Sequence, residues 1–159
     1  MVEEDKNEIK VPFPQANDFS KILRIIKIEN EIFLRDNSYL AKKLDVSQRQ
    51  INYYLAACSF LEIISNREFT NYGIELRNKG YDQLITCVST KIISLPVFGD
   101  VFFTRFYYNT ILSNEEIAEL LIINYGIDNY NVAKRRASTV RNWINWIFEQ
   151  RQSFITNII

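Results

Sequence analysis

Residues 47–60, SQRQINYYLAACSF, decide how this chain is read. Ser47 has an N-capping side chain, and Gln50, three positions on, can return a hydrogen bond to the cap's backbone N–H. Ile51, Leu55 and Cys58 recur at helical spacing, so one face of the helix is apolar and buried. Gln48, Arg49, Asn52 and Tyr53 fall on the other face, near the N-terminal end. Their guanidinium, amide and phenol groups suit base edges or phosphates, carried on a helix narrow enough for the major groove. Residues 38–44, SYLAKKL, read as a short helix ahead of it, and Asp45-Val46 leaves only a tight turn between the two. Helix, short turn and capped helix with a polar leading edge make the helix-turn-helix pattern.

Outward from that pair, towards the N-terminus, Asn17 or Asp18 caps a helix over 19–29, with Phe19, Ile22, Leu23 and Ile26 as its apolar stripe. Val11-Pro12-Phe13-Pro14 cannot be helical through its prolines and reads as an extended arm that lays Phe13 on the core. Residues 1–10 read as a frayed polar start. Towards the C-terminus the period changes to two: 61–64 and 67–69 flank Ser65-Asn66 as a short hairpin, with Asn66 and Arg67 at its tip. Thr70 caps the next helix, and Gly80 is its expected C′ stop. Three helices and a two-stranded hairpin make a winged helix, with the hairpin as the wing.

The second half repeats this logic without a complete wing. A helix over 81–94 buries Leu84, Ile85, Val88 and Ile92. Pro96 suits the first turn of the next, whose apolar side is Phe98, Val101, Phe102 and Phe106. Ser113 and Glu116 form a second capping box for a helix that ends at Gly126. Asn131 then caps a long helix over 132–150, with Ala133, Ala137, Val140, Ile144 and Ile147 in its core stripe. Lys134, Arg135, Ser138, Arg141, Asn142 and Asn145 form the opposite, solvent-facing stripe. Lys134 and Arg135 suit either a phosphate contact or base reading, and Asn131, Ser138 and Asn142, which set neutral hydrogen-bonding groups beside them, favour a second base-reading helix. Arg136 falls near the buried stripe, where an internal partner is expected. The terminal residues 151–159, RQSFITNII, could supply one strand. The expected fold is mainly α: tandem helix-turn-helix units over 1–80 and 81–159, the first a winged helix with a short β-hairpin.

Composition bounds the function. Aliphatic and aromatic residues make up 47% of the chain, which argues against wholesale disorder. Nineteen basic residues balance nineteen acidic ones, so no overall basic surplus draws the chain to nucleic acid. The charge is uneven, however: four basic residues crowd positions 134–141. There is no histidine, which excludes His-dependent triads and His metal sites. The two cysteines, Cys58 and Cys87, cannot make a four-cysteine zinc site, and both read as small buried hydrophobes. No phosphate-binding glycine motif is present. Glu8-Ile9-Lys10 lies in the frayed start, with no strand before it, and reads as chance. No catalytic, metal or cofactor site is expected. No apolar leader opens the chain and no apolar run approaches the roughly 18 residues of a membrane span, so a cytoplasmic setting is the default.

Three stretches carry a family resemblance: VPFPQANDF at 11–19, LDVSQRQINYYLAACSFLEII at 44–64 and NVAKRRASTVRNWINWI at 131–147, together with PVF at 96–98. They resemble the winged-helix DNA-recognition modules attached to type II restriction endonucleases and other restriction-modification proteins. The resemblance implies a sequence-specific double-stranded DNA-binding module, working beside a separate nuclease domain or subunit that does the cutting. The expected DNA-binding residues are Gln48, Arg49, Asn52, Tyr53, Arg67, Lys134, Arg135, Ser138, Arg141 and Asn142. The alternative is a winged-helix protein-interaction or transcription-regulatory module, since fold alone does not settle function. The oligomeric state stays open, a homodimer included.

Overall fold

The computed structural model describes residues 13–158, with side chains described for 13–150. The frayed start, Glu8-Ile9-Lys10 and Val11-Pro12 of the expected arm lie outside the described residues. The organising helix, α3 (Gln48–Phe60), starts as its sequence requires. Ser47 Oγ accepts from the Gln50 N–H, and Gln50 Oε1 accepts from the Ser47 N–H at 3.0 Å. Ile51, Leu55 and Cys58 are buried. Burial pushes the Cys58 thiol up to about 12, so it stays protonated and packs as a small hydrophobe. Cys87 is only half-buried.

Ahead of α3 stand α1 (Phe19–Ile26), capped by Asp18, and α2 (Asn37–Leu44), capped by Asp36. The first helix is shorter than expected. Asn30 accepts the Ile32 N–H and starts a separate 3-10 turn, Glu31–Arg35, which draws the chain out of α1 before residue 29. The tight turn between α2 and α3 is a Schellman ending. Asp45 takes a left-handed conformation (φ 53°), its N–H bonds to Lys42 O, and the Val46 N–H bonds to Ala41 O.

The same device ends α3 and resets the hairpin. Glu62 is left-handed (φ 62°), and the Glu62 and Ile63 N–H groups bond to Ser59 O and Cys58 O. Residues 61–63 are therefore a helix ending rather than strand. The ladder shrinks to β1 (Ile64–Ser65) against β2 (Glu68–Phe69), with Ile64 opposite Phe69. Its turn is Asn66-Arg67, the expected tip, with both residues at positive φ (51° and 61°), as a tight hairpin turn matched to strand twist demands, while Ser65, expected in the loop, pairs with Glu68. Thr70 caps α4 (Asn71–Arg77) as expected. Gly80 is not its C′ stop. Asn78 ends α4, and Gly80 has extended backbone as the N-cap of α5 (Tyr81–Ile93).

Leu84, Ile85, Val88 and Ile92 of α5 are buried. α6 (Phe98–Tyr108) follows after a sharp corner of 103°. Pro96 lies in that corner, outside the helix. Val97 next to it is buried with φ 70°, a strained conformation for a β-branched residue. Phe98, Val101 and Phe102 are buried, whereas Phe106 is half exposed, because α6 runs past the core at its C-terminal end. Among the described residues no single helix is long and apolar enough to cross a membrane.

α7 (Asn114–Tyr125) has the expected Ser113–Glu116 capping box and stops at left-handed Gly126. α8 (Tyr130–Ile158) begins one residue before Asn131 because Asn129, not Asn131, accepts the Val132 N–H. It stays helical to Ile158, so residues 151–158 supply no strand. One hydrophobic cluster takes Phe19, Ile22, Ile51 and Leu55 from the first half and Leu84, Phe98, Val140 and Trp143 from the second. The boundary expected near Gly80 falls between α4 and α5, and the core runs across it. Phe13 joins this core, with ring centroids 4.8 Å from Tyr125, 5.3 Å from Phe60 and 5.7 Å from Phe98.

Candidate nucleic-acid interface

The leading edge of α3 is open. Gln48, Arg49 and Asn52 are exposed, and none forms a hydrogen bond or ion pair among the described residues. Tyr53 is half-buried on the same flank, one turn after Arg49. Its neighbour Tyr54 is buried and its hydroxyl accepts from the Asp18 N–H at 3.4 Å, so Tyr54 is a packing residue.

Arg67 sits at the hairpin tip as expected, yet it folds back. Its Nη1 donates to Leu34 O at 3.2 Å and to Asn37 Oδ1 at 2.5 Å. Turning it towards a phosphate requires breaking both bonds. Neighbouring Glu68 pairs with Arg35 at 2.5 Å.

The polar stripe of α8 is narrower than its periodicity implies. Lys134 pairs with Glu115 at 3.0 Å, Arg141 donates to Asn114 Oδ1 at 3.1 Å, and Asn145 accepts from Arg105 at 2.6 Å. Those three side chains reach α7 and α6 instead of open solvent. The reason is packing on several sides: α7 lies along α8 and brings its acidic first turn to Lys134. The Glu115 carboxyl is held below its ordinary range, first by the Lys134 hydrogen bond. What remains open is Arg135 and Asn142, with half-buried Ser138 between them. Trp143 and Trp146 are buried, Trp146 against Phe19 at 4.4 Å between centroids.

The two helices meet at residues 15–18. Arg136 donates to Gln15 Oε1, Trp143 Nε1 donates to Ala16 O at 2.7 Å, and Thr139 Oγ1 donates to Asn17 Oδ1 at 2.9 Å. Asp18, the last residue of this strap, bonds to Tyr54 of α3. Arg136 thus has the internal partner expected of it. Burial, then the neighbouring Arg135, pulls its guanidinium down from its ordinary value, while Tyr53 acts in the opposite sense. Periodicity could not reveal that these charges stand beside α3, because the strap that brings α8 there lies more than a hundred residues away in sequence. The only local signal was the Arg135-Arg136 pair itself.

Among the described residues, Arg24, Lys42, Arg49 and Arg135 are the cations without a hydrogen bond or ion pair. Most of the others are tied to carboxylates or backbone carbonyls, such as Lys43 to Glu29, Lys91 to Glu62 and Arg77 to Ile26 O. No group of three or more His, Cys, Asp or Glu that could hold a metal ion occurs among the described residues.

No curated protein and no solved structure matches this chain. A family profile does match, over residues 21–152. That stretch runs from the first turn of α1 into the C-terminal half of α8 and so takes in both the α3 edge and the open face of α8. The chain belongs to the family described as Domain of unknown function (DUF7226).

Proposed function

We propose that this protein is a sequence-specific double-stranded DNA-binding module, built as tandem helix-turn-helix units of which the first is a winged helix. One observation carries the reading: Gln48, Arg49 and Asn52 stand unengaged at the exposed leading edge of a capped helix. Arginine and the side-chain amides read guanine and adenine edges bidentately, and the N-terminal end of the second helix is what enters the groove in helix-turn-helix proteins. The hairpin after α3 is then the wing. The resemblance to restriction-modification modules supports a role in recognition, with cutting left to a separate nuclease domain or subunit.

Selection from a randomised duplex pool, followed by sequencing of the bound fraction, tests this. Enrichment of one motif is the expected result. No retained DNA at low salt overturns it.

A second reading is a protein-docking module, and a different surface favours it. Phe103, Phe106, Tyr107 and Tyr108 of α6 are exposed, the two tyrosines at 69% and 77%. Exposed aromatic clusters mark interaction surfaces. A crosslinked or co-purifying protein lost on Tyr107→Ser and Tyr108→Ser, with no duplex enrichment, is the outcome that favours this reading.

A further inference from the structure

The strap at 15–18 bonds both helices, Asp18 to Tyr54 of α3 and Gln15, Ala16 and Asn17 to Arg136, Trp143 and Thr139 of α8, and it brings Arg136 near enough to Tyr53 for the phenol to act on its guanidinium. Arg135 and Arg136 of α8 have no carboxylate partner, and neither has Arg49, one turn before Tyr53 on α3. Arg49 and Arg135 are exposed and unengaged, and Arg136 is half-buried with only the neutral amide oxygen of Gln15 as its acceptor. The charged and titratable neighbours acting on Arg136 are Arg135 and Tyr53, neither of them an acid that would neutralise it. Elsewhere most cations are neutralised or capped in place, which in a chain of zero net charge leaves this seam as a local positive site. Two adjacent guanidinium groups backed by a phenol match the donor set of a phosphate site: planar forks for the oxygens and a hydroxyl donor beside them.

We propose that Tyr53, Arg135 and Arg136 clamp one phosphate of the DNA backbone beside the base pairs facing α3, so that α8 positions the duplex instead of reading a second set of bases. This rests on the duplex-DNA reading above. It makes the two halves of the chain act on one continuous stretch of DNA. Gln15 serves as a positioning residue, holding the Arg136 guanidinium at the seam while leaving its remaining N–H donors free for phosphate oxygens.

The test uses the full chain and two labelled duplexes of equal length, one carrying the motif enriched from the pool and one scrambled. Affinity is measured across a salt series for wild type, Arg135→Ala and Arg136→Ala. Each variant is expected to weaken binding to both duplexes by the same factor and to lower the salt slope by about one, as loss of a phosphate contact does. Arg135 has no intramolecular bond to lose, so its variant stays informative if Arg136→Ala fails to fold. If wild type binds neither duplex at low salt, the duplex reading falls and the clamp falls with it. If wild type binds and both variants keep its slope, the clamp alone is overturned. If either variant changes the base preference, α8 reads bases and the clamp is again overturned.

Discussion

The indole N–H of Trp143 donates to the backbone carbonyl of Ala16 at 2.7 Å, joining residues 127 positions apart in the chain. Trp143 is fully buried and also stacks on Phe98 and meets Phe19 edge-on. Trp143→Ala is therefore expected to lower stability by about 3–5 kcal/mol. Trp143→Phe keeps ring burial but leaves the Ala16 carbonyl without its donor, at a cost of about 1–3 kcal/mol. Urea denaturation followed by circular dichroism measures both, and equal losses would show that the hydrogen bond is immaterial.

Gly73 sits where α4 crosses the hairpin. A Cβ there would lie 2.2 Å from the Ile63 carbonyl oxygen, a backbone atom that cannot swing aside. Gly73→Ala should destabilise the fold by about 1–3 kcal/mol or more through overpacking. Gly80→Ala meets nothing within 4 Å and should change stability by less than about 1 kcal/mol. Thermal melts of the two variants side by side provide the comparison.

Arg49→Ala and Asn52→Ala should each cost about 1–3 kcal/mol of binding to the enriched duplex and relax preference at one base pair. Neither has an intramolecular bond among the described residues, so folding should be untouched. Arg67→Ala differs. Losing its bonds to Leu34 O and Asn37 should lower stability by about 1 kcal/mol while leaving base preference in place. A base-substitution scan for all three variants would contradict this docking if Arg67→Ala altered the profile and the α3 variants did not.

Glu29 tests the surface electrostatics. Its carboxyl is lowered from 4.5 to about 2, first by the hydrogen bond from Lys43, then by backbone and by Tyr39. A depressed carboxylate stabilises the fold fully above its unfolded value, and that contribution is lost as pH falls from 4.5 towards 2. Lys43 is raised in turn, so its share is present below its ordinary value and lost above it. Both groups are exposed, and added salt should weaken the coupling. In a carboxyl NMR titration, Lys43→Ala should return Glu29 towards the ordinary range; an unmoved midpoint would remove Lys43 as the cause.

Helix starts were legible where a capping box announced them, although Asn129 replaced Asn131 as the cap of α8. Ser47 with Gln50 and Ser113 with Glu116 are local devices that act within one turn, and α3 and α7 begin where they stand. Helix ends were less legible, because three are made by left-handed Asp45, Glu62 and Asn109, with no glycine to mark them. The ending at Glu62 took residues 61–63 out of the first strand and left the expected tip in place. On α8 the period correctly separated core from surface, but three residues of the polar stripe found partners on α6 and α7. Which polar residues stay open depends on what packs alongside, and helical spacing carries no information about that.

The strap at 15–18 also bears on the order of assembly. Gln15, Ala16 and Asn17 precede the first helix, yet their partners Arg136, Trp143 and Thr139 belong to the last. A chain emerging from the ribosome can form α1, α2 and α3 early but cannot seat this strap until α8 has been synthesised. Closing so long a loop is slow relative to local helix formation. The nascent first half is therefore left with Phe19 uncovered by Trp143 and Trp146 until α8 has been made, and completion of the seam beside α3 follows the local helices.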